Sequence, residues 1–226
     1  MSSQRASRRR YDATGRRAQA KANRERILRV ATRLFCAQGY AATSIAQIAE
    51  EAGVSTPTVF AAGKSKVNLL KEAIDIAIVG DTRAAPLAER PEMRHVHEAA
   101  TAEEVLRRYA AVMADVAARA YPIYAVTAAA ADSDSQIAAL VKDLDRQRLT
   151  GSTYIATTVA DRLGEADPGR LAYIRATIWT LNSPLFYGLL VHERGWSPEA
   201  YRDWMSVALI SLTSPSAANR RTGRQA

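Results

Sequence analysis

The sequence predicts an all-α protein, and three observations carry that reading. Alanine dominates its apolar residues, apolar positions recur at spacings of three and four, and no stretch alternates as a half-buried strand would. The chain has 226 residues, 48% of them apolar, which is enough to bury one large core or two modest ones. No run approaches the ~18 uncharged apolar residues of a membrane span. The basic N-terminus leads into no apolar segment before a cleavage site. No membrane association and a cytoplasmic location are therefore expected. A single cysteine, Cys36, excludes an internal disulfide. It is expected on the buried side or margin of its helix, as a packing residue.

Charge is unevenly placed. The net charge is +8, yet residues 1–26 carry nine Lys/Arg against Asp12 and Glu25. Arg220, Arg221 and Arg224 add three positive charges near the other end, and the stretch between is slightly acidic. Arginine-rich ends beside a compact body suit a polyanion, because neutralising phosphates releases their counterions. Residues 1–22 lack large aliphatics and read as a disordered basic arm, and 214–226 as a disordered basic tail.

The elements follow in order. Ile27, Val30, Ala31, Leu34 and Phe35 make one face of a helix from about Arg24 to Gln38, and Gly39 stops it. Ser44 followed by Gln47 resembles a capping box and starts a second helix bearing Ile45, Ile48 and Ala49. Gly53 ends it. Ser55 caps a third, which tolerates Pro57 in its first turn and closes at Gly63. Ser65 opens a fourth through Leu69, Leu70, Ala73 and Ile74 to about Gly80. Residues 81–101 read as an irregular charged connector. Helices resume at about 103–119, with Pro122 expected to break or restart the next. A long helix is expected over 135–163. Another spans 168–192 with a break at Pro184, and a last one begins at Ser197 and runs to about Thr213.

The most informative stretch is 44–61. Two short helices meet at Ala52-Gly53-Val54-Ser55, where a glycine supplies the left-handed conformation of a sharp reversal. Ile48 and Val54 pin the helices, and Ala49 lets their backbones approach. The second helix presents Thr56, Pro57 and Thr58 at its start, the end of a recognition helix that enters a major groove. Threonine is an unselective base reader, and proline offers only apolar contact, for example to a thymine methyl.

These residues resemble a known family. Arg24 to Leu28, Phe35, Gly39-Tyr40, Thr43, Ile45, Ile48-Ala49, Ala52 to Ser55, Thr58, Phe60, Ser65-Lys66 and Leu69-Leu70 are similar to the DNA-binding region of TetR-type regulators. The resemblance covers about residues 24–75. It implies an N-terminal helix-turn-helix domain at 23–64, a connecting helix at 65–80, and a helical ligand-binding and dimerisation domain at 81–213. It further implies that Thr43, Ser44, Ser55, Thr56, Pro57, Thr58, Phe60, Lys64 and Lys66 face DNA, with Arg16, Arg17 and Lys21 of the arm. Lys66 would reach backbone phosphate. Phe60 stands where the family usually has a tyrosine, and Ala62-Gly63 where it has a histidine and an aromatic.

For the helical remainder the resemblance implies a small-molecule effector, with Tyr109, Met113, Tyr124, Thr127, Trp179, Asn182 and Phe186 as pocket candidates. Arg119 is a further polar anchor. A homodimer is implied, with Trp179, Leu185, Leu189, Trp204, Val207 and Ile210 as interface candidates. The expected activity is that of a repressor leaving a palindromic double-stranded DNA operator when the effector binds. The alternative is a helical ligand-binding or adaptor protein without specific DNA binding. No enzyme activity, cofactor or metal is expected. His95 and His97 lack a convincing third ligand, and His192 with Glu193 reads as a polar helix end.

Overall fold

The structure, a computed structural model, describes residues 2–81 and 85–213, with side chains from Gly15 onward. Among these residues every regular element is helical. Helix α1 runs Ser2–Ala42, α2 Ile45–Glu51, α3 Thr56–Gly63 and α4 Lys66–Val79. A 3-10 turn at Leu87–Glu89 precedes α5 (Pro91–His97), α6 (Ala102–Ala130) and α7 (Ser135–Leu163). Then follow α8 (Pro168–Leu181), α9 (Pro184–Tyr187), a π-helical turn at Gly188–Glu193, α10 (Pro198–Ile210) and a 3-10 turn at Ser211–Thr213. No helix of the described residues is long and apolar enough to cross a membrane. The chain divides into two compact units. One holds the residues up to Ile76 with Val126–Ala138, the other Ala77–Ala125 with Ala139 onward.

In the first unit α1, α2 and α3 pack on one another around Ile27, Phe35, Ile48 and Val59, with Leu69, Leu70 and Ile74 of α4 also buried. Burying such side chains contributes roughly 1.5–3 kcal/mol each. The stop expected at Gly39 is present as a break in α1, at φ 85° and ψ 168°. At its other end the helix begins at Ser2, so the residues expected as an irregular arm are helical. Residues 16–26 hold no proline and no β-branched residue and are rich in Ala and Arg. Such residues propagate a helix that the buried run from Ile27 has already nucleated. The tail 214–226 lies outside the described residues. Cys36 is exposed rather than buried, and partial burial still raises its thiol pKa.

The second unit is cored by Val105, Leu106, Ile155, Ile174, Ile178 and Met205. Two of its elements differ from expectation. The connector is not wholly irregular: Pro91 sits in the first turn of α5, whose Met93 and Val96 are buried. Arg90 steadies its start by a bidentate pair with Asp81, at 2.7 and 3.0 Å. Pro122 does not break its helix but lies inside α6. Ala120, Ile123 and Tyr124 on either side are buried, and their packing outweighs the one backbone bond that proline forgoes. The break at Pro184 is found as expected, with Asn182 and Ser183 between α8 and α9.

Candidate nucleic-acid interface

The turn between α2 and α3 is built by its backbone. Gly53 takes φ 61°, its N–H donates to Glu50 O at 3.0 Å, and Val54 N–H donates to Ala49 O at 3.0 Å. Ile48, Ala49 and Val59 are buried beneath it. Ser55 caps α3, accepting from Thr58 N–H at 3.4 Å, and the two hydroxyls lie 2.8 Å apart. One bond between two hydroxyls uses one proton and leaves the other for an outside acceptor. Ser55 and Pro57 are exposed, Thr56 and Thr58 half-buried, and Phe60 is 49% exposed. The outward face of α3 is therefore a threonine and serine rim around proline and phenyl surface.

Ser44 caps α2 by accepting from Gln47 N–H at 3.1 Å. Gln47 does not reach back to complete the box; its side chain pairs with that of Gln38 at 2.8 Å. Ser44 is exposed, at a helix start where backbone N–H groups favour anions. Thr43 differs from expectation. It is 1% exposed, and its hydroxyl donates to Gly39 O at 2.9 Å, so its proton is used inside the fold.

The Ala62-Gly63 departure has a packing cause. A Cβ on Gly63 would stand 2.3 Å from Leu69 Cδ2, so only glycine lets the end of α3 meet α4 this closely. Lys64 follows at φ 61°, and Ser65 N–H reaches Gly63 O at 2.6 Å, a tight reversal. Lys64 projects into solvent. Lys66, expected on phosphate, instead lies 4.1 Å from the Tyr40 ring centroid, with Nζ 3.5 Å from Ala41 O. Burial lowers its pKa, with Asp134 opposing that shift, and burial raises that of Tyr40. Arg16, Arg17 and Lys21 are exposed on α1.

Three of the effector candidates, Tyr109, Asn182 and Trp179, are brought together by the structure. Tyr109 is buried and accepts from Asn182 Nδ2 at 2.7 Å, and Asn182 also donates to Ser152 at 3.2 Å. Burial pushes the Tyr109 hydroxyl up to about 12, against the lowering by Asn182 and Arg148. Arg148, which periodicity does not single out, joins Asn182 Oδ1 and the Trp179 carbonyl and stacks on the Trp179 ring. Phe186 packs on Trp204. Tyr124 is buried, Met113 half-buried, and Thr127 is buried in the other unit. None of these seven lines the cleft of about 430 Å³ in the second unit, whereas Arg119 does.

Among the interface candidates Leu185, Leu189 and Val207 are exposed, at 46, 47 and 71%. Trp204 is held by Phe186, Trp196 and Tyr201, Trp179 lies under Arg148, and Ile210 is half-buried. His192 lies in the last turn of the π-helical segment Gly188–Glu193, as its position suggested, and stacks on Tyr121 at 4.6 Å. His95 and His97 lie on α5, and among the described residues no three potential metal ligands converge.

Residues 27–73 match the family model of the bacterial regulatory proteins of the tetR family. No curated protein sequence matches the chain. Among solved structures, the Pseudomonas aeruginosa protein NalD, the secondary repressor of the MexAB-OprM multidrug efflux pump, aligns at 15% identity. That alignment covers 85% of this chain and 97% of NalD, with a TM-score of 0.59. A transcriptional regulator from Aquifex aeolicus VF5 aligns at 18% identity over 84% of this chain and 99% of its own, with a TM-score of 0.56. A protein from Saccharomonospora viridis, solved in complex with choline, aligns at 20% identity over 83% and 95%, with a TM-score of 0.56. The chain thus carries the N-terminal helix-turn-helix domain of the TetR family of bacterial regulatory proteins, within an all-helical fold that these structures share.

Proposed function

We propose that the protein is a sequence-specific, DNA-binding transcriptional regulator that acts as a homodimer on a palindromic operator. A small-molecule effector releases it from that operator, so its resting activity is repression. The observation that supports this most is the α2–turn–α3 geometry. Gly53 is left-handed, Ser55 caps α3, and the N-terminal half of α3 faces solvent, in a segment that matches the tetR-family model. Ser44, Ser55, Thr56, Pro57, Thr58, Phe60 and Lys64 are the surface offered to DNA, and Arg16, Arg17 and Lys21 add phosphate contacts. One short helix reads few bases, so two copies are needed, with half-sites spaced by about 34 Å or a multiple of it. Leu185, Leu189 and Val207 are the exposed apolar surface available to a second copy.

The test is selection of bound sequences from a random DNA pool at near-physiological salt, with mass measurement of the complex. A palindrome bound by two chains is expected. A second reading, a ligand-binding or adaptor protein without specific DNA affinity, draws on Thr43 and Lys66. Both are engaged inside the fold, and Phe60 lacks a hydroxyl. That reading predicts a dimer that enriches no sequence.

A further inference from the structure

The cleft of about 430 Å³ in the second unit lies within the size range of small-molecule sites. Its apolar lining comes from Val79, Leu87, Pro91, Ala111 and Val112. Its charged lining is Asp81, Arg90, Glu92, Asp115 and Arg119. Most of these charges are already engaged. Arg90 holds Asp81 bidentately, and Asp115, one helical turn before Arg119 on α6, pairs with Arg202 instead of with Arg119. Arg119 is different. Its Nε donates to Ala77 O at 3.2 Å and its Nη2 to Ile78 O at 3.1 Å, the last carbonyls of α4. Both acceptors are neutral, and no carboxylate of the described residues lies within ion-pair distance of it. The guanidinium thus stands at the cleft without an ion-pair partner and with Nη1 unused among the described residues. Gly80, at φ 85°, ends α4 beside it, with the place of a Cβ only 3.4 Å from Arg119 Nε.

We infer that this cleft is the effector site, and that it takes a small molecule with an apolar body and one anionic group, carboxylate or sulfonate, received by Arg119. The inference rests on the regulator reading. A planar guanidinium matches a two-oxygen anion geometrically, and such charge-assisted bonds are about twice as strong as neutral ones. The five apolar residues receive the body of the ligand. Glu92, exposed at the same cleft, opposes any anion there, so Arg119 receives a single negative charge and not two. An anion here competes with the α4 carbonyls for Arg119, so binding loosens the polar cap at the carboxyl end of α4. That gives the ligand different affinity for the capped and uncapped states, without which it shifts no equilibrium.

The probes are 8-anilinonaphthalene-1-sulfonate, an apolar anion, and N-phenyl-1-naphthylamine, its uncharged counterpart, each followed by fluorescence on the full chain without DNA. The wild type is expected to bind the sulfonate in one saturable site per chain. Arg119→Gln is expected to weaken the sulfonate at least about tenfold and change the neutral dye less than twofold, while Arg119→Lys, which keeps the charge but loses the planar fork, weakens the sulfonate less than Arg119→Gln does. On the unaltered protein benzoate displaces the sulfonate and benzamide does not. The inference is overturned by unchanged sulfonate affinity in Arg119→Gln, by equal loss of both dyes, by equal displacement by benzoate and benzamide, or by no saturable site. Sequence selection on DNA is run without dye, so failure of the regulator reading and failure of this one are seen separately.

Discussion

Lys66 Nζ sits 4.1 Å from the centroid of the Tyr40 ring, which ties the first turn of α4 to the end of α1. A lysine placed so contributes about 0.5–1 kcal/mol at an exposed site, and it is not extended toward a phosphate. Lys66→Met is therefore expected to lower stability by about that amount in urea titrations. The salt dependence of DNA binding should stay the same. A fall of about one in the slope of log K against log salt would instead show a phosphate contact by Lys66.

Gly63 meets Leu69 too closely for any side chain. Leu69 is 1% exposed and has little room to move. Gly63→Ala should destabilise by about 1–3 kcal/mol, an overpacking cost that a shifted urea midpoint would report. Gly53→Ala has open space around it but demands φ 61° of an L-residue, so about 1–2 kcal/mol is expected from backbone strain alone.

Tyr109 supplies the alkaline prediction. Its hydroxyl, pushed to about 12 by burial, holds its proton more tightly folded than unfolded, where it titrates near 10. The raised folded value means that its stabilising contribution is complete below pH 10 and is lost as pH rises from there through about 12. Tyr109→Phe should flatten that part of the unfolding profile. It also removes the acceptor of Asn182 Nδ2, costing about 1 kcal/mol at neutral pH. Denaturant melts at pH 8, 10 and 11.5 separate the two effects.

Most of the helical layout was legible in the sequence because periodicity and caps are local signals. Ser44, Ser55 and Ser197 each cap a helix as their positions suggested, and Gly39 and Gly53 turn where they must. The differences from expectation had non-local causes. Pro122 stays inside α6 because buried neighbours on both sides hold it, which no window around a proline reveals. Thr43 and Lys66 looked available because motif position says nothing of the carbonyl or ring they meet. Tyr109, Trp179 and Phe186 were pocket candidates by resemblance alone, and spacing does not say which of them meet. Tyr109 and Trp179 are joined through Asn182 and Arg148, while Phe186 packs on Trp204. Arg148 itself left no signal, since its partners Trp179 and Asn182 lie 31 and 34 residues away.

The outward face of α3 makes a prediction about bases. Pro57 and Phe60 offer apolar surface, which matches the thymine methyl in the major groove rather than a hydrogen-bonding edge. Replacing thymine by uracil within a selected operator should therefore weaken wild-type binding. Phe60→Ala should bind more weakly and lose part of that sensitivity. Equal affinity of wild type for both operators would remove Phe60 and Pro57 from base reading.

The exposed Arg16, Arg17 and Lys21 of α1 should act on phosphate alone. A chain lacking residues 2–22 is expected to bind every sequence more weakly and to show a shallower salt slope, by about 0.9 for each phosphate no longer neutralised. Its preferred sequence should not change. Competition titrations at several salt concentrations measure both quantities.

Whether the α2–turn–α3 unit reads DNA as one half of a twofold pair is decided by selection from a random pool with the purified full chain. A palindromic consensus is expected, with half-sites about 34 Å apart or a multiple of it, bound by two chains. A pool without enrichment, or binding that vanishes on modest addition of salt, would overturn that role.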